Sequence, residues 1–202
     1  GDDSSATDDD TTTPDASTRP PDGATEPATS AFALASVVID AEGARTTYVQ
    51  AIDSLESGPF DNETAIEIPG NGVVIAGGGD FFVGLTEEPT WVRYSLGEDG
   101  VEETGRVSFL SYGVSRIDYG NAYVDDTTAV SVLSSAGVAV FWNPRTMEIL
   151  GDVDISHLAR DGYDLEVWTT AAKDGRVYIP GRWANWDEGR IYGGVSMTII
   201  DA

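Results

Sequence analysis

The sequence contains no cysteine, a single histidine, two methionines and only 11 basic residues among 202. Without thiols these residues hold no disulfide framework, no thiolate zinc site and no cysteine nucleophile. One imidazole, His157, is too little to build a histidine-rich metal centre. The few Lys and Arg stand against 35 acidic residues, for a formal charge of -24. Such a charge repels phosphate backbones and anionic headgroups, which argues against nucleic-acid binding and electrostatic membrane docking and leaves cationic partners and metal ions open. Long apolar runs are missing too, and no stretch approaches the ~18 residues that mark a membrane-spanning helix. The length fits one domain, or part of one, with enough chain to bury a core.

What is present falls into two blocks. In residues 1 to 30 every position is Gly, Ala, Ser, Thr, Pro or Asp except Arg19 and Glu26. A segment without large apolar side chains cannot offset the roughly 1–2 kcal/mol per residue lost on ordering its backbone, so it is expected to be disordered. Pro14, Pro20, Pro21 and Pro27, with repulsion among Asp2, Asp3 and Asp8 to Asp10, favour a stretched spacer. Residues 1–30 therefore read as a disordered, acidic Thr/Asp/Pro-rich tether and residues 31–202 as the folded part. The opening Gly1-Asp2-Asp3-Ser4-Ser5 resembles the residues that follow the lipid-bearing cysteine of bacterial lipoproteins. That resemblance implies a removed signal segment and a lipid anchor on a Cys preceding Gly1, which would be the sole membrane contact. It also implies a location in the bacterial cell envelope or outside the cell, as an outer-membrane lipoprotein or a periplasmic protein. An ordinary linker is the alternative.

From Ala31 onward, short β-branched and aromatic runs alternate with Gly, Asp and Asn turns, the pattern of strands. Ser36 to Asp40, Arg45 to Gln50, Val73 to Ala76, Phe81 to Leu85, Trp91 to Leu96, Val107 to Leu110, Ala129 to Leu133, Val138 to Trp142, Glu166 to Thr170, Arg176 to Ile179 and Val195 to Ile200 qualify. No segment shows sustained helical periodicity, and Ile155 to Arg160 has room for one helical turn. The fold class is all-β.

An internal repeat narrows the architecture. Gly105 and Gly151, Val107 and Val153, and Phe109 and Ile155 are each 46 residues apart. Val195 to Ile200 reads as a later copy of Val138 to Trp142, delayed by an insertion. A period near 46 with four strands per unit predicts a β-propeller of about four four-stranded antiparallel blades, with a sandwich or jelly roll as the alternative. The first unit looks incomplete and the last lacks an outer strand, so residues 31–202 are expected to be the N-terminal half of a longer propeller.

Ala65-Ile66-Glu67-Ile68-Pro69-Gly70, Val92-Arg93-Tyr94-Ser95-Leu96, Val107-Ser108-Phe109 and Phe141-Trp142-Asn143-Pro144-Arg145-Thr146-Met147-Glu148-Ile149 carry a further resemblance. They are similar to the secreted or lipid-anchored bacterial β-propellers of the kind found in myxobacteria, including one associated with a siderophore locus. The resemblance covers most of residues 32 to 155 and implies fold and envelope location. It also implies a link to iron or siderophore handling, although no residue maps onto a metal or siderophore site.

Most candidate site motifs reduce to structure. Gly70-Asn71-Gly72 with Gly77-Gly78-Gly79 has Ile75 where a dinucleotide loop needs glycine, and no helix follows. His157 has no serine on a nucleophile elbow to serve, so no catalytic residue is assigned. Asn62-Glu63-Thr64 is a sequon of chance length. Asp118 and Asp164, 46 residues apart, occupy equivalent positions on two blades and are the candidate ligands of a channel-bound cation such as calcium. The Gly181–Gly194 insertion, read as a long loop, holds Arg182, Trp183, Trp186, Asp187, Arg190 and Tyr192, the residue types that dominate binding hot spots. The alternative for this loop is structural, with the Trp rings covering a blade edge while Arg182 and Arg190 pair with Asp187 and Glu188.

The leading reading is a non-catalytic, envelope-associated propeller that binds an unidentified protein or small molecule through its blade loops, without a resident cofactor. The second is a propeller enzyme, a metal-assisted hydrolase or lactonase with channel carboxylates.

Overall fold

The computed structural model describes residues 32–52, 65–77, 80–85, 87–97, 100–189 and 191–202. The expected tether, the sequon at Asn62 and the candidate Arg190 lie outside the described residues.

The chain folds into four antiparallel sheets arranged as propeller blades. Blade 1 consists of β1 (Phe32–Ile39), β2 (Arg45–Ile52) and β3 (Ile66–Pro69), in that order. Blade 2 runs β4 (Gly72–Gly77), β5 (Asp80–Leu85), β6 (Thr90–Gly97), β7 (Gly100–Ser108), and blade 3 runs β8 (Asn121–Asp125), β9 (Thr128–Leu133), β10 (Val138–Asn143), β11 (Glu148–Asp154). In blade 4, β12 (Asp164–Glu166) and β13 (Ala171–Lys173) pair with one edge of β14 (Arg176–Asn185), and β15 (Ile191–Asp201) pairs with the other. Strand β1 lies beside β4, β4 beside β8, and β8 beside β13, so these are the inner strands. Helical structure among the described residues is limited to 3-10 turns at Leu110–Tyr112, Ser134–Ala136 and Ser156–Leu158. The last of these is the single turn expected near Ile155.

Burial explains why the strands are apolar on both faces. A strand's side chains alternate in direction, and a blade in mid-propeller has a neighbour on each side. On β9, Ala129 and Leu133 join Phe82, Trp91 and Trp142 between blades 2 and 3, while Val130 and Val132 join Val177 and Ile179 between blades 3 and 4. Val49, Ile68, Phe81 and Val83 fill the space between blades 1 and 2. At the crossing from β3 to β4, the buried Thr47 hydroxyl donates to Gly70 O at 2.8 Å and accepts from Gly72 N–H at 2.7 Å.

The glycine repeat has a physical cause. Arg93 opposes Gly105 and Tyr94 opposes Glu103, which skips Thr104; Phe141 opposes Gly151 and Trp142 opposes Ile149, which skips Leu150. Both outer strands therefore carry a bulge at the same place. At Gly105 a Cβ would also lie 2.8 Å from Met147 Cγ.

Three expectations need correction. The stretch Glu166 to Thr170 is not a strand beyond Glu166, because Val167 turns into the core between blades 3 and 4 and Trp168 turns outward. Strand β7 starts at Gly100, well before Val107. The insertion is no long loop: β14 and β15 pair through Asn185 and Ile191, so Arg182, Trp183 and Tyr192 lie on strands. Alternating side-chain direction along the lengthened hairpin, with a turn closed by Glu188 N–H donating to Asn185 Oδ1, accounts for this.

Turn carboxylates give this scaffold an acid limit. Thr127 N–H and Oγ1 donate to Asp125, the Ser156 hydroxyl and N–H face Asp154, and the Tyr123 hydroxyl and Arg145 donate to Asp126. These bonds hold all three carboxyls below their ordinary range, while burial and then Asp126 push the Tyr123 hydroxyl up. A folded-state value below the unfolded ~3.9 means the stabilisation is complete above about pH 4 and fades as pH falls through the lower folded value. Asp125→Asn is therefore expected to lower the thermal midpoint at about pH 6 and to converge on the parent near about pH 2. A gap constant across that range would show that Asp125 acts through turn shape alone.

Candidate functional site

A cleft of about 1480 Å³ opens at the end of the blades that carries the β5–β6, β9–β10 and β14–β15 turns and the crossings between blades. All four blades contribute to its border. Carboxylates come from Glu67, Glu87, Asp118, Asp164 and Glu166, against the cations Arg45 and Arg116. Aromatic rings come from Tyr119, Tyr163, Trp168 and Trp186. Tyr119, Trp168 and Trp186 remain about half exposed there, at 46%, 53% and 48%.

The rings are organised around Arg182. Tyr119 stacks on Trp168 with centroids 5.5 Å apart and planes 9° apart. The Arg182 guanidinium lies 5.1 Å from the Trp168 ring and 4.7 Å from the Tyr192 ring. Glu166 Oε2 accepts from Arg182 Nε at 2.6 Å and from Trp168 Nε1 at 3.1 Å. A charge-assisted bond and cation–π contacts thus hold four planar groups in series while leaving aromatic surface in water. The register of β12 against β14, with Glu166 opposite Arg182, sets the ion pair.

The residues singled out from the sequence separate into three groups. Arg182 and Tyr192 meet in the stacked series. Trp186 and Asp187 are exposed in the β14–β15 turn, and Trp186 borders the cleft. Trp183 is half-buried: its Nε1 donates to Leu158 O at 2.7 Å and its ring lies 5.9 Å from the Arg160 guanidinium. That places Trp183 as a strut between the hairpin and the Ser156–Leu158 turn. Arg182 pairs with Glu166, not with Asp187 or Glu188. Reading the sequence missed Tyr119, Trp168 and Glu166, because the series joins four separate segments and follows no period.

Asp118 and Asp164 both border the cleft. Asp118 Oδ2 accepts from Ser134 N–H at 2.9 Å and from its hydroxyl at 2.6 Å, so this carboxylate caps the β9–β10 turn. Among the described residues no group of three or more His, Cys, Asp or Glu is placed to share an ion.

Fold and cleft together define a β-propeller protein. The chain matches no protein-family model and no curated protein. Among solved structures it is similar to a functionally unknown protein from Desulfotomaculum acetoxidans DSM 771, at 15% identity and a TM-score of 0.48 over 80% of this chain and 55% of that one. It is also similar to the glutaminyl cyclase of Myxococcus xanthus, at 15% identity and a TM-score of 0.38 over 85% of this chain and 75% of that one. The chain thus spans about half the length of the Desulfotomaculum protein.

Proposed function

We propose that this protein is a non-catalytic binding module of the bacterial envelope, held by its N-terminal tether, that takes a positively charged ligand or protein segment in the cleft. The half-exposed Tyr119–Trp168 stack on a border with five carboxylates and two arginines carries this reading. Aromatic faces attract cations through the ring quadrupole, and an acidic cleft in a chain of -24 concentrates cationic ligands. The iron or siderophore link implied by family resemblance is not part of this proposal, because no cleft residue maps onto such a site.

Pentalysine and its fully acetylated form are suitable probes, followed by tryptophan fluorescence. Pentalysine is expected to bind saturably and the acetylated form weakly. Trp168→Ala, checked for native circular dichroism, is expected to weaken pentalysine by up to about tenfold. Binding unaltered by Trp168→Ala would place the contact elsewhere on the acidic surface and overturn the reading.

The enzyme alternative has one observation in its favour, the shared position of Asp118 and Asp164 on the cleft. Calorimetric titration with calcium alone separates the two. A stoichiometric signal abolished by Asp164→Asn supports a channel cation, and a flat titration supports the binding module.

A further inference from the structure

We infer that the cleft takes the C-terminal Lys or Arg residue of a peptide, with its α-carboxylate on Arg116 and its side-chain cation on the Tyr119–Trp168 stack. This inference rests on the cation-binding reading above and adds the class of ligand. The observation behind it is which arginines lack an acidic partner. Arg93 pairs with Asp80, Arg106 with Glu103, Arg145 with Asp126, Arg176 with Asp201 and Arg182 with Glu166. Arg160 is taken up by Gly193 O and by the rings of Tyr163 and Trp183. Among the described residues Arg45 reaches only Asn71 Oδ1, at 3.4 Å, and Arg116 makes no hydrogen bond, ion pair or ring contact. These two exposed side chains are the arginines that border the cleft. Acidic partners are not scarce there, since five carboxylates share the same border.

Topology sets the two kinds of group in line. The inner strands β1, β4, β8 and β13 lie side by side. Arg45 touches the crossing into β4 through Asn71, the crossing into β8 carries Arg116 and Tyr119, and the crossing into β13 carries Trp168. Arg116 and Tyr119 are three residues apart, so their Cα atoms lie within about 11 Å of one another. The flexible side chains of Arg116 and of a bound basic residue can close that gap. Blades 2 and 3 each have a described blade on either side, so the crossing between them faces the cleft for reasons internal to these four blades.

A guanidinium presents a planar fork of donors that matches a carboxylate. A dianion such as phosphate would meet five carboxylates with two arginines to offset them, and is disfavoured. A C-terminal basic residue carries its negative charge together with a positive one, so it enters an acidic cleft without net repulsion. A free amino acid would bring its α-ammonium close to Arg116, and a peptide bond at that nitrogen removes the like charge.

Pentalysine and pentalysine C-terminal amide, titrated into the full chain by tryptophan fluorescence, test the inference. They share every side chain, and the amide has the larger net positive charge, so attraction to the acidic surface alone favours the amide. The acid is instead expected to bind about threefold or more tighter. Arg116→Gln, at an exposed side chain without contacts among the described residues, is expected to abolish that advantage while the amide binds at least as well as before. Arg106→Gln removes the same charge from the outer strand of blade 2 and is expected to keep the acid ahead. An amide that binds the parent as tightly as the acid, an acid advantage that survives Arg116→Gln, or one lost in Arg106→Gln would each overturn the inference and leave the cation-binding reading in place. Failure of both peptides to bind would overturn that reading, and this inference with it. Free lysine is expected to compete less well than Nα-acetyl-lysine, and the reverse order would overturn the assignment to a peptide.

Discussion

Trp142→Ala is expected to lower the free energy of unfolding by about 3–5 kcal/mol, a large share of the roughly 5–15 kcal/mol available to a domain. Trp142 is fully buried on β10 at the centre of the core between blades 2 and 3. Its ring stacks on Trp91 with centroids 6.1 Å apart and meets Phe82 edge-on at 5.6 Å. Both indole N–H groups, at 2.8 Å for Trp91 and 3.2 Å for Trp142, donate to the Oγ of the buried Ser131. Truncation therefore opens a cavity that stiff neighbours cannot refill and removes one of two donors from the shared hydroxyl. Ser131→Ala tests the polar part alone, because it orphans two buried donors at about 1–3 kcal/mol each. Trp142→Phe keeps most of the ring and loses one N–H, so it should cost the least of the three. Urea unfolding by circular dichroism measures the series. A loss below about 1.5 kcal/mol for Trp142→Ala would mean that blades 2 and 3 do not depend on this core.

The same residues show how far the sequence could be read. Spacings of 46 at Gly105/Gly151, Val107/Val153 and Phe109/Ile155 reflect the bulged outer strand that blades 2 and 3 share, so packing and backbone geometry wrote the period into the chain. All-β class, blade count and most strands followed from it. Strand β8 was missed because Asn121-Ala122-Tyr123-Val124-Asp125 is short and polar at both ends, and it becomes a strand through its antiparallel pairing with β9 while packing beside β4 and β13. The insertion drew attention to Arg182 and Tyr192 by composition. Their partners Glu166, Trp168 and Tyr119 could not be inferred, because they reach Arg182 through the register of β12 on β14 and the packing of blade 3 on blade 4. A repeat reports what every blade shares; a binding surface is where the blades differ.

Gly120→Ala is expected to cost about 1–3 kcal/mol, more than an ordinary added methyl, and to damage the cleft as well as the fold. Gly120 is buried at the entry to β8, and its carbonyl accepts from Val132 N–H at 2.8 Å. A Cβ there would lie 2.4 Å from Val167 Cγ1, 3.0 Å from Val167 Cβ and 3.2 Å from Thr170 Oγ1. Val167 is 4% exposed and branched at Cβ, so rotation about χ1 does not clear the space and the two backbone segments must part. Those segments carry Tyr119 and Trp168, one residue away on each side, whose rings stack at 5.5 Å. Separation of the segments breaks that stack, so the variant should lose pentalysine binding under conditions where it remains folded. The double substitution Gly120→Ala/Val167→Ala supplies the control. If the clash is the cause, the second change restores room and the pair costs less than the sum of its members, with binding partly regained. Strict additivity would place the damage in the Gly120 backbone itself, and the Tyr119–Trp168 stack would then owe nothing to the close packing of residue 120 on Val167.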